Sequence, residues 1–170
     1  GAIADYNKAI EINPQYAGAY YNRGNAKDDL GDYQAAIADY TKAIEINPQG
    51  VDAYINRGGT KEKLKDYQGA ISDFNKVLEI NPQHAFAYYN LGLIKGRDLG
   101  DYQGAIADFN KSIQLNPQYA SAYNNRGTVK TSSGDDRGGC YDYKKAASLG
   151  NQRAVQWLNS EEGAWCRNMQ

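Results

Sequence analysis

Apolar side chains recur along this chain at intervals of three and four, and the blocks they form return at a fixed distance. Between Tyr33 and Ile46, Ala36, Ile37, Tyr40, Ala43 and Ile44 fall on one stripe and Lys42 and Glu45 on the other side. That is the period of an α-helix with one buried face. The block around it, GDYQAAIADYTKAIEINP at Gly31–Pro48, returns as KDYQGAISDFNKVLEINP at Lys65–Pro82 and as GDYQGAIADFNKSIQLNP at Gly100–Pro117. Its last two-thirds open the chain at Gly1–Pro14, and a worn copy runs from Gly134 to Asn151. A second helical pattern lies between successive copies, so the unit is a helix–turn–helix repeat. Such units bury their faces by stacking on neighbours rather than around one central core.

The pattern predicts a helix over residues 1–12, then helix pairs at 17–30 and 33–46, 51–64 and 67–80, 85–99 and 102–115, and 120–131 and 138–148. Asp32 is placed to cap the second helix of the first complete repeat, and the second helices ending at 12, 46, 80 and 115 stop before Asn-Pro, because a proline turns the preceding residue away from helical angles; Asn151 stands in place of the last proline. The domain plan is the second helix of a truncated repeat at 1–16, repeats at 17–50, 51–84 and 85–119, a degenerate repeat at 120–151, and a capping helix with a tail at 152–170. Pro82 and Pro117 are 35 residues apart, where the earlier prolines are 34 apart. The third repeat therefore carries one extra residue, expected within Leu93–Gly100 as a distorted helix end or a longer turn. The glycine-rich turn SSGDDRGG of the fourth repeat is expected to be the loosest. After Asn151 the period breaks. Ala154, Val155, Trp157 and Leu158 predict one further helix near 152–160 to cover the last apolar face, and residues 161–170 show no period.

Charge narrows the function. Nineteen basic and twenty acidic residues leave a net charge of -1, which argues against nucleic acid and against a polybasic membrane contact. No apolar run approaches the length needed to span a bilayer. The chain opens inside a repeat, so missing upstream residues are expected. No signal peptide is visible, a cytoplasmic setting is favoured, and secretion stays open. The single histidine, His84, lies far along the chain from Cys140 and Cys166, so no nucleophile–base pair forms. No phosphate-binding loop or cluster of metal ligands is present, and the expectation is no enzyme and no cofactor. The capping helix should return the tail toward Cys140. Two reduced packing cysteines are the favoured reading and a Cys140–Cys166 disulfide the alternative.

The period, the tyrosine opening each first helix (Tyr20, Tyr54, Tyr88, Tyr123), the glycine four residues on, the paired small residues (Gly24 and Ala36, Gly58 and Ala70, Gly92 and Ala105) and the second-helix aromatic (Tyr40, Phe74, Phe109, Tyr143) together resemble the tetratricopeptide repeat. The fourth repeat departs from it at Gly139 and Asn151. The resemblance implies an all-α fold: an α-solenoid of antiparallel helix pairs forming a right-handed superhelix, with a C-terminal capping helix. It also implies a protein–protein interaction scaffold whose first helices line a concave groove.

Two positions depart from the family pattern throughout. Arg23, Arg57 and Arg126, with Leu91 as the exception, stand where leucine is usual, and Lys27, Lys61, Lys95 and Lys130 follow four residues later. Asp39, Asp73, Asp108 and Asp142 hold one fixed place in the second helices. Structural pairs Arg23–Asp39, Arg57–Asp73 and Arg126–Asp142 are expected, partly buried and bidentate. By register the groove is lined by Tyr21, Asn22 and Asn25, by Ile55 and Asn56, by Phe86, Tyr89, Asn90 and Leu93, and by Asn124 and Asn125. Asn22, Asn56, Asn90 and Asn125 share one place in successive repeats. They suit either the backbone of an extended peptide or a tie between repeats. Some relatives clamp a peptide carboxylate with lysines, but those slots hold residues such as Tyr21 and Phe86 here. A neutral or mildly basic peptide is expected, because Asp28, Asp29, Asp52 and Glu62 place acid along one half of the groove and Arg97 lies in the other. The other function considered is self-assembly, as a homo-oligomer through Ala2, Ile3, Tyr6 and Ile10 of the opening helix.

Overall fold

The computed structural model describes residues 1–169; the last residue of the expected tail, Gln170, lies outside them. Its elements are α1 (Ala2–Ile12), α2 (Ala17–Asp29), α3 (Tyr33–Ile46), α4 (Val51–Lys63), α5 (Tyr67–Ile80), α6 (Ala85–Leu93), a π-turn (Ile94–Asp98), α7 (Tyr102–Leu115), α8 (Ala120–Ser132), α9 (Asp136–Ser148), α10 (Gln152–Asn159) and α11 (Ala164–Arg167). No strand occurs among the described residues. The chain forms two compact units, one from Gly1 to Pro82 and one from Gln83 onward. In the first, α1 packs on α2, α2 on α3, α3 on α4 and α4 on α5. In the second, the order is α6 on α7, α7 on α8, α8 on α9, α9 on α10 and α10 on α11.

The same short-range chemistry starts and stops each pair. The carboxylates of Asp32, Asp66, Asp101 and Asp135 accept the N–H of the residue three positions on, at 3.3, 3.0, 2.9 and 2.9 Å. They satisfy an amide that the first helical turn leaves unpaired. His84 caps α6 in the same way through Nδ1, 3.3 Å from the Ala87 amide. Past the second helices, Asn13, Asn47 and Asn116 accept the amide two residues on and turn the chain at proline. The turn within each pair needs a left-handed residue. Gly31, Gly100 and Gly134 supply it with φ of 80°, 69° and 90°, but Lys65 takes the same slot at φ 62°, a conformation that disfavours a residue with a Cβ.

The core is built from small residues facing aromatic ones. Ala36, Ala70 and Ala105 are fully buried, and Tyr40, Phe74 and Phe109 lie beside them at 1% exposure or less. The inserted residue of the third repeat is absorbed in the π-turn. In the other repeats the cap aspartate's amide reaches back five residues, as in Asp32 N–H to Lys27 O at 2.9 Å. In the third, Asp101 N–H reaches Lys95 O, six back, at 2.8 Å. The helix widens for one turn and the capping register resumes.

Three expectations are corrected. The second helix of the fourth repeat starts at Asp136 and not near 138: Asp135 caps it, and the Asp135 amide reaches Lys130 O at 2.8 Å. The tail carries structure of its own, since α11 follows α10 and Trp165 meets Trp157 edge-on at 6.2 Å. The cysteines are not reduced. Cys140 and Cys166 form a disulfide, both almost fully buried, because α10 turns the chain back along α9. The capping element closes the last face with Ala154, buried against Tyr123 and Ala146, and with Trp157, whose ring lies 4.2 Å from that of Tyr143.

Candidate peptide-binding surface

The charged residues of the first helices point into their own packing. Arg23 donates from Nε and Nη2 to the two carboxylate oxygens of Asp39 at 2.8 and 2.6 Å. Arg57 does so to Asp73 at 3.0 and 2.6 Å, and Arg126 to Asp142 at 2.7 and 2.6 Å. The aspartates are buried, and the arginine side chains are between 13% and 18% exposed. Lys27, Lys61 and Lys130 complete each group, 2.7, 2.8 and 2.9 Å from the same carboxylates.

Sequence reasoning missed a third arm. Arg23 Nη1 donates to Asn7 at 2.7 Å, Arg57 Nη1 to Thr41 at 2.9 Å, and Arg126 Nη1 to Asn110 at 2.6 Å. Each guanidinium thus joins its own pair to the second helix of the repeat before. The signal was a polar residue recurring at the repeat distance on the exposed shoulder of that helix. The guanidiniums also lie over Tyr20, Tyr54 and Tyr123, 5.4 to 5.6 Å from the ring centres.

The third repeat lacks the arginine, and its aspartate shows the consequence. Asp108 has Lys95 at 2.7 Å as an ion pair, without an aligned hydrogen bond to that oxygen. For Asp39, burial pushes the carboxyl up, but hydrogen bonds from Arg23 and Lys27 more than reverse it, and it titrates below the ordinary 3.8. For Asp108, burial is the largest influence and Lys95 does not reverse it, so it titrates above 3.8. Asp39 stabilises the fold above its unfolded value, and that contribution is lost as pH falls through its folded value. Asp108 acts in the opposite sense: its ionisation opposes folding as pH rises through its own folded value. Carboxyl carbon NMR titration should find Asp108 protonated at a pH where Asp39 is already ionised, and Leu91→Arg should bring Asp108 down. Coincident titration of the two would contradict the pairing.

The asparagines divide between two roles. Asn56 donates from its amide to Tyr21 Oη at 3.1 Å and to Asn25 Oδ1 at 2.8 Å, so it ties α4 to α2. Tyr40 donates to the same Asn25 oxygen at 2.9 Å, and burial pushes its phenol up from the ordinary value. Asn125 donates to Tyr89 Oη at 2.9 Å and ties α8 to α6. Asn90 is 8% exposed and donates to Phe86 O within its own helix at 2.7 Å. Asn22 alone of the four is exposed. Asn124 is half-buried with its amide 3.5 Å from Asn125.

The apolar members are more available. Tyr21 and Ile55 are half-buried on the first unit. On the second, Phe86 is 43% exposed and stacks with Tyr89 at 6.2 Å. Tyr89 also meets Phe109 and Tyr119, and burial raises the Tyr119 phenol to about 12. Tyr89, Leu93, Phe109, Asn125 and Thr128 line a pocket of about 540 Å³. The acidic stripe is weaker than its sequence suggests: Asp28 is paired with Lys63 and accepts from Thr60. Among the described residues, no group of three or more His, Cys, Asp or Glu is placed to hold a metal, and no helix is long and apolar enough to cross a membrane.

Family profiles described as tetratricopeptide repeat match residues 17–49 and 51–84, and a further one residues 74–107. A third, described as TPR repeat, matches residues 1–27 and 95–134. The chain belongs to the tetratricopeptide repeat family. Among solved structures, this tetratricopeptide chain is similar to one titled crystal structure of MamA, at 26% identity over 91% of this chain and 90% of that one, with a TM-score of 0.83. A second, titled crystal structure of MamA protein, matches at 26% identity, 94% and 87% coverage and a TM-score of 0.80. MamA 41-end from Desulfovibrio magneticus RS-1 shares the fold at 23% identity, with 93% and 86% coverage and a TM-score of 0.80. Nothing among the curated proteins matches. The family and the MamA-like fold are those of a protein-interaction scaffold.

Proposed function

We propose that this tetratricopeptide chain receives an extended segment of a partner protein on its first-helix faces. What supports the reading most is the pocket walled by Tyr89, Leu93 and Phe109, beside an exposed Phe86. A surface apolar feature of this kind marks contact sites. On the second unit Asn125 holds that surface in shape through its bond to Tyr89, and Phe86 and Asn124 stand on it to meet a ligand; on the first unit Asn56 ties its own first helices together and Asn22 is exposed. The role is binding, not catalysis. Mass spectrometry of proteins captured by the chain, followed by recapture with Asn22→Glu/Phe86→Glu, tests it. The double variant should lose the partner at least about tenfold, as hot-spot disruption does. A control on exposed second-helix positions, Glu45→Lys/Glu79→Lys, should retain it. Equal recovery by the two variants would remove the reading.

One observation favours a second reading, association of two copies through α1. This helix has no buried residue. Ala2, Ile3, Ala26 and Leu30 line an apolar hollow of about 610 Å³, with Leu30 75% exposed. Of the four residues first assigned to this contact, Ala2 is exposed, whereas Ile3, Tyr6 and Ile10 are half-buried. Light scattering over a hundredfold concentration range decides it: a mass that rises toward twice 18.8 kDa supports association, and a constant monomer mass excludes it.

A further inference from the structure

The inserted residue of the third repeat does more than widen a helix. After the lysine of the charged group, the first repeat continues Asp28–Asp29, whereas the third continues Gly96–Arg97–Asp98. An acidic slot has become a glycine and an arginine. Gly96 comes so close to its neighbours that an added Cβ would lie 2.7 Å from Val129 Cγ2 and 3.1 Å from Ala105 Cβ. Its bare backbone therefore forms part of a wall. The space beside it is the pocket of about 540 Å³, whose floor is Tyr89, Leu93 and Phe109 and whose rim carries Arg97 and Arg153. No acidic side chain lines it among the described residues. Arg97 is held by Asp98, with Nη2 2.9 Å from a carboxylate oxygen. Arg153, exposed in the first turn of α10, has no ion pair among the described residues, so it leaves the rim with uncompensated positive charge.

A smaller pocket of about 170 Å³ shares Tyr89, Asn125 and Arg153 with the first, and its other walls are polar: Ser121, Asn124, Asn151 and Gln152. Arg153 thus stands between an aromatic pocket and a polar one. We infer that the pair of pockets takes an internal segment of a partner chain in which an aliphatic or aromatic residue is followed by Asp or Glu and then a small polar residue. The apolar side chain fills the aromatic pocket, the carboxylate meets Arg153, and the next residue enters the polar pocket. A free chain end would stop at Arg153 and leave the polar pocket empty. This inference rests on the peptide-binding reading above and replaces the neutral or basic ligand expected from the sequence with an acidic one on this unit.

The test titrates acetyl-Gly-Leu-Glu-Ser-Gly-amide into the full, isotopically labelled chain and follows backbone amides by NMR. Saturable shifts should centre on Leu93, Asn125 and Arg153. The Gln counterpart of the peptide should bind about three- to fivefold more weakly, the size of an exposed ion pair. Arg153→Gln should abolish that difference while leaving the Gln peptide unaffected. A peptide ending in Leu with a free carboxylate should bind more weakly than the Glu peptide. Equal binding of Glu and Gln peptides, shifts centred elsewhere, tighter binding of the free-ended peptide or no saturable shift would each overturn the inference. If the peptides fail while the captured partner is lost with Asn22→Glu/Phe86→Glu, the scaffold reading stands and this one falls. If they succeed while capture is unaffected, this pocket stands and the wider surface does not.

Discussion

Replacing Asp73 with alanine should destabilise its helix pair by about 3–5 kcal/mol, the cost of leaving buried charge uncompensated. Asp73 is 2% exposed. It accepts from Arg57 at 3.0 and 2.6 Å and has Lys61 2.8 Å away. Alanine removes the one anion serving two cations, and both cations are themselves mostly buried. It also frees the guanidinium that reaches Thr41 on α3. The loss should therefore spread from α4 and α5 to the α3–α4 contact. Because an array unfolds by neighbouring units and not as one two-state block, native-state hydrogen exchange is the measurement that localises it. Asp73→Leu combined with Arg57→Leu and Lys61→Leu should recover much of the loss, since a packed apolar group carries no stranded charge. An unchanged exchange pattern in α4 for Asp73→Ala would show that the carboxylate carries little.

Cys140→Ser should have the second large effect. The crosslink closes a loop with a sequence separation of 26, and closing a loop of that length in the unfolded chain stabilises by about 3–4 kcal/mol. Both cysteines lie in the packed interface of α9 with the tail. Lys144 adds a hydrogen bond to the Met169 carbonyl at 2.6 Å. The variant, or reductant on the native chain, should release α10 and α11 first. Exchange protection should fall there, and the Trp157 and Trp165 fluorescence should shift toward that of exposed indole. Repeats before Ala120 should be unmoved. Full protection of α10 in the reduced chain would show that Ala154 and Trp157 hold the cap without the bond.

The helices were legible because their signals are local and repeated. Stripe spacing, a cap aspartate and a closing Asn-Pro each act within one turn, and repetition averages out exceptions such as Lys65. The extra residue was placed within Leu93–Gly100 because only there did the spacing of fixed residues change. The disulfide was not decided, since the period ends at Asn151 and nothing in the chain then sets the register of Cys166 against Cys140. The four residues of α11 are too few for any period. The third contact of each arginine depends on how far a first helix leans toward the preceding second helix, which is a packing angle and not a spacing. The asparagines show the same limit. Their common position was plain, but Asn56 and Asn125 end on tyrosine hydroxyls of the neighbouring repeat, a choice made by distance. The pocket beside the π-turn needed the widened turn itself, which brings Gly96 against Val129.

The disulfide also fixes what kind of assembly is open to the chain. Endless head-to-tail growth requires two complementary faces, one on each end of a protomer. The end carrying Cys140 is stitched shut: α10 and α11 cover the last helix pair, and the crosslink keeps them from peeling away to admit a neighbour. On the first unit, α1 and Leu30 border an open apolar hollow. A contact that used this hollow on both copies would close as a two-fold pair and stop there. While the Cys140–Cys166 bond holds, the face of α9 under α10 and α11 is withheld from any head-to-tail contact, and reduction of that one bond is what would offer it to a neighbour.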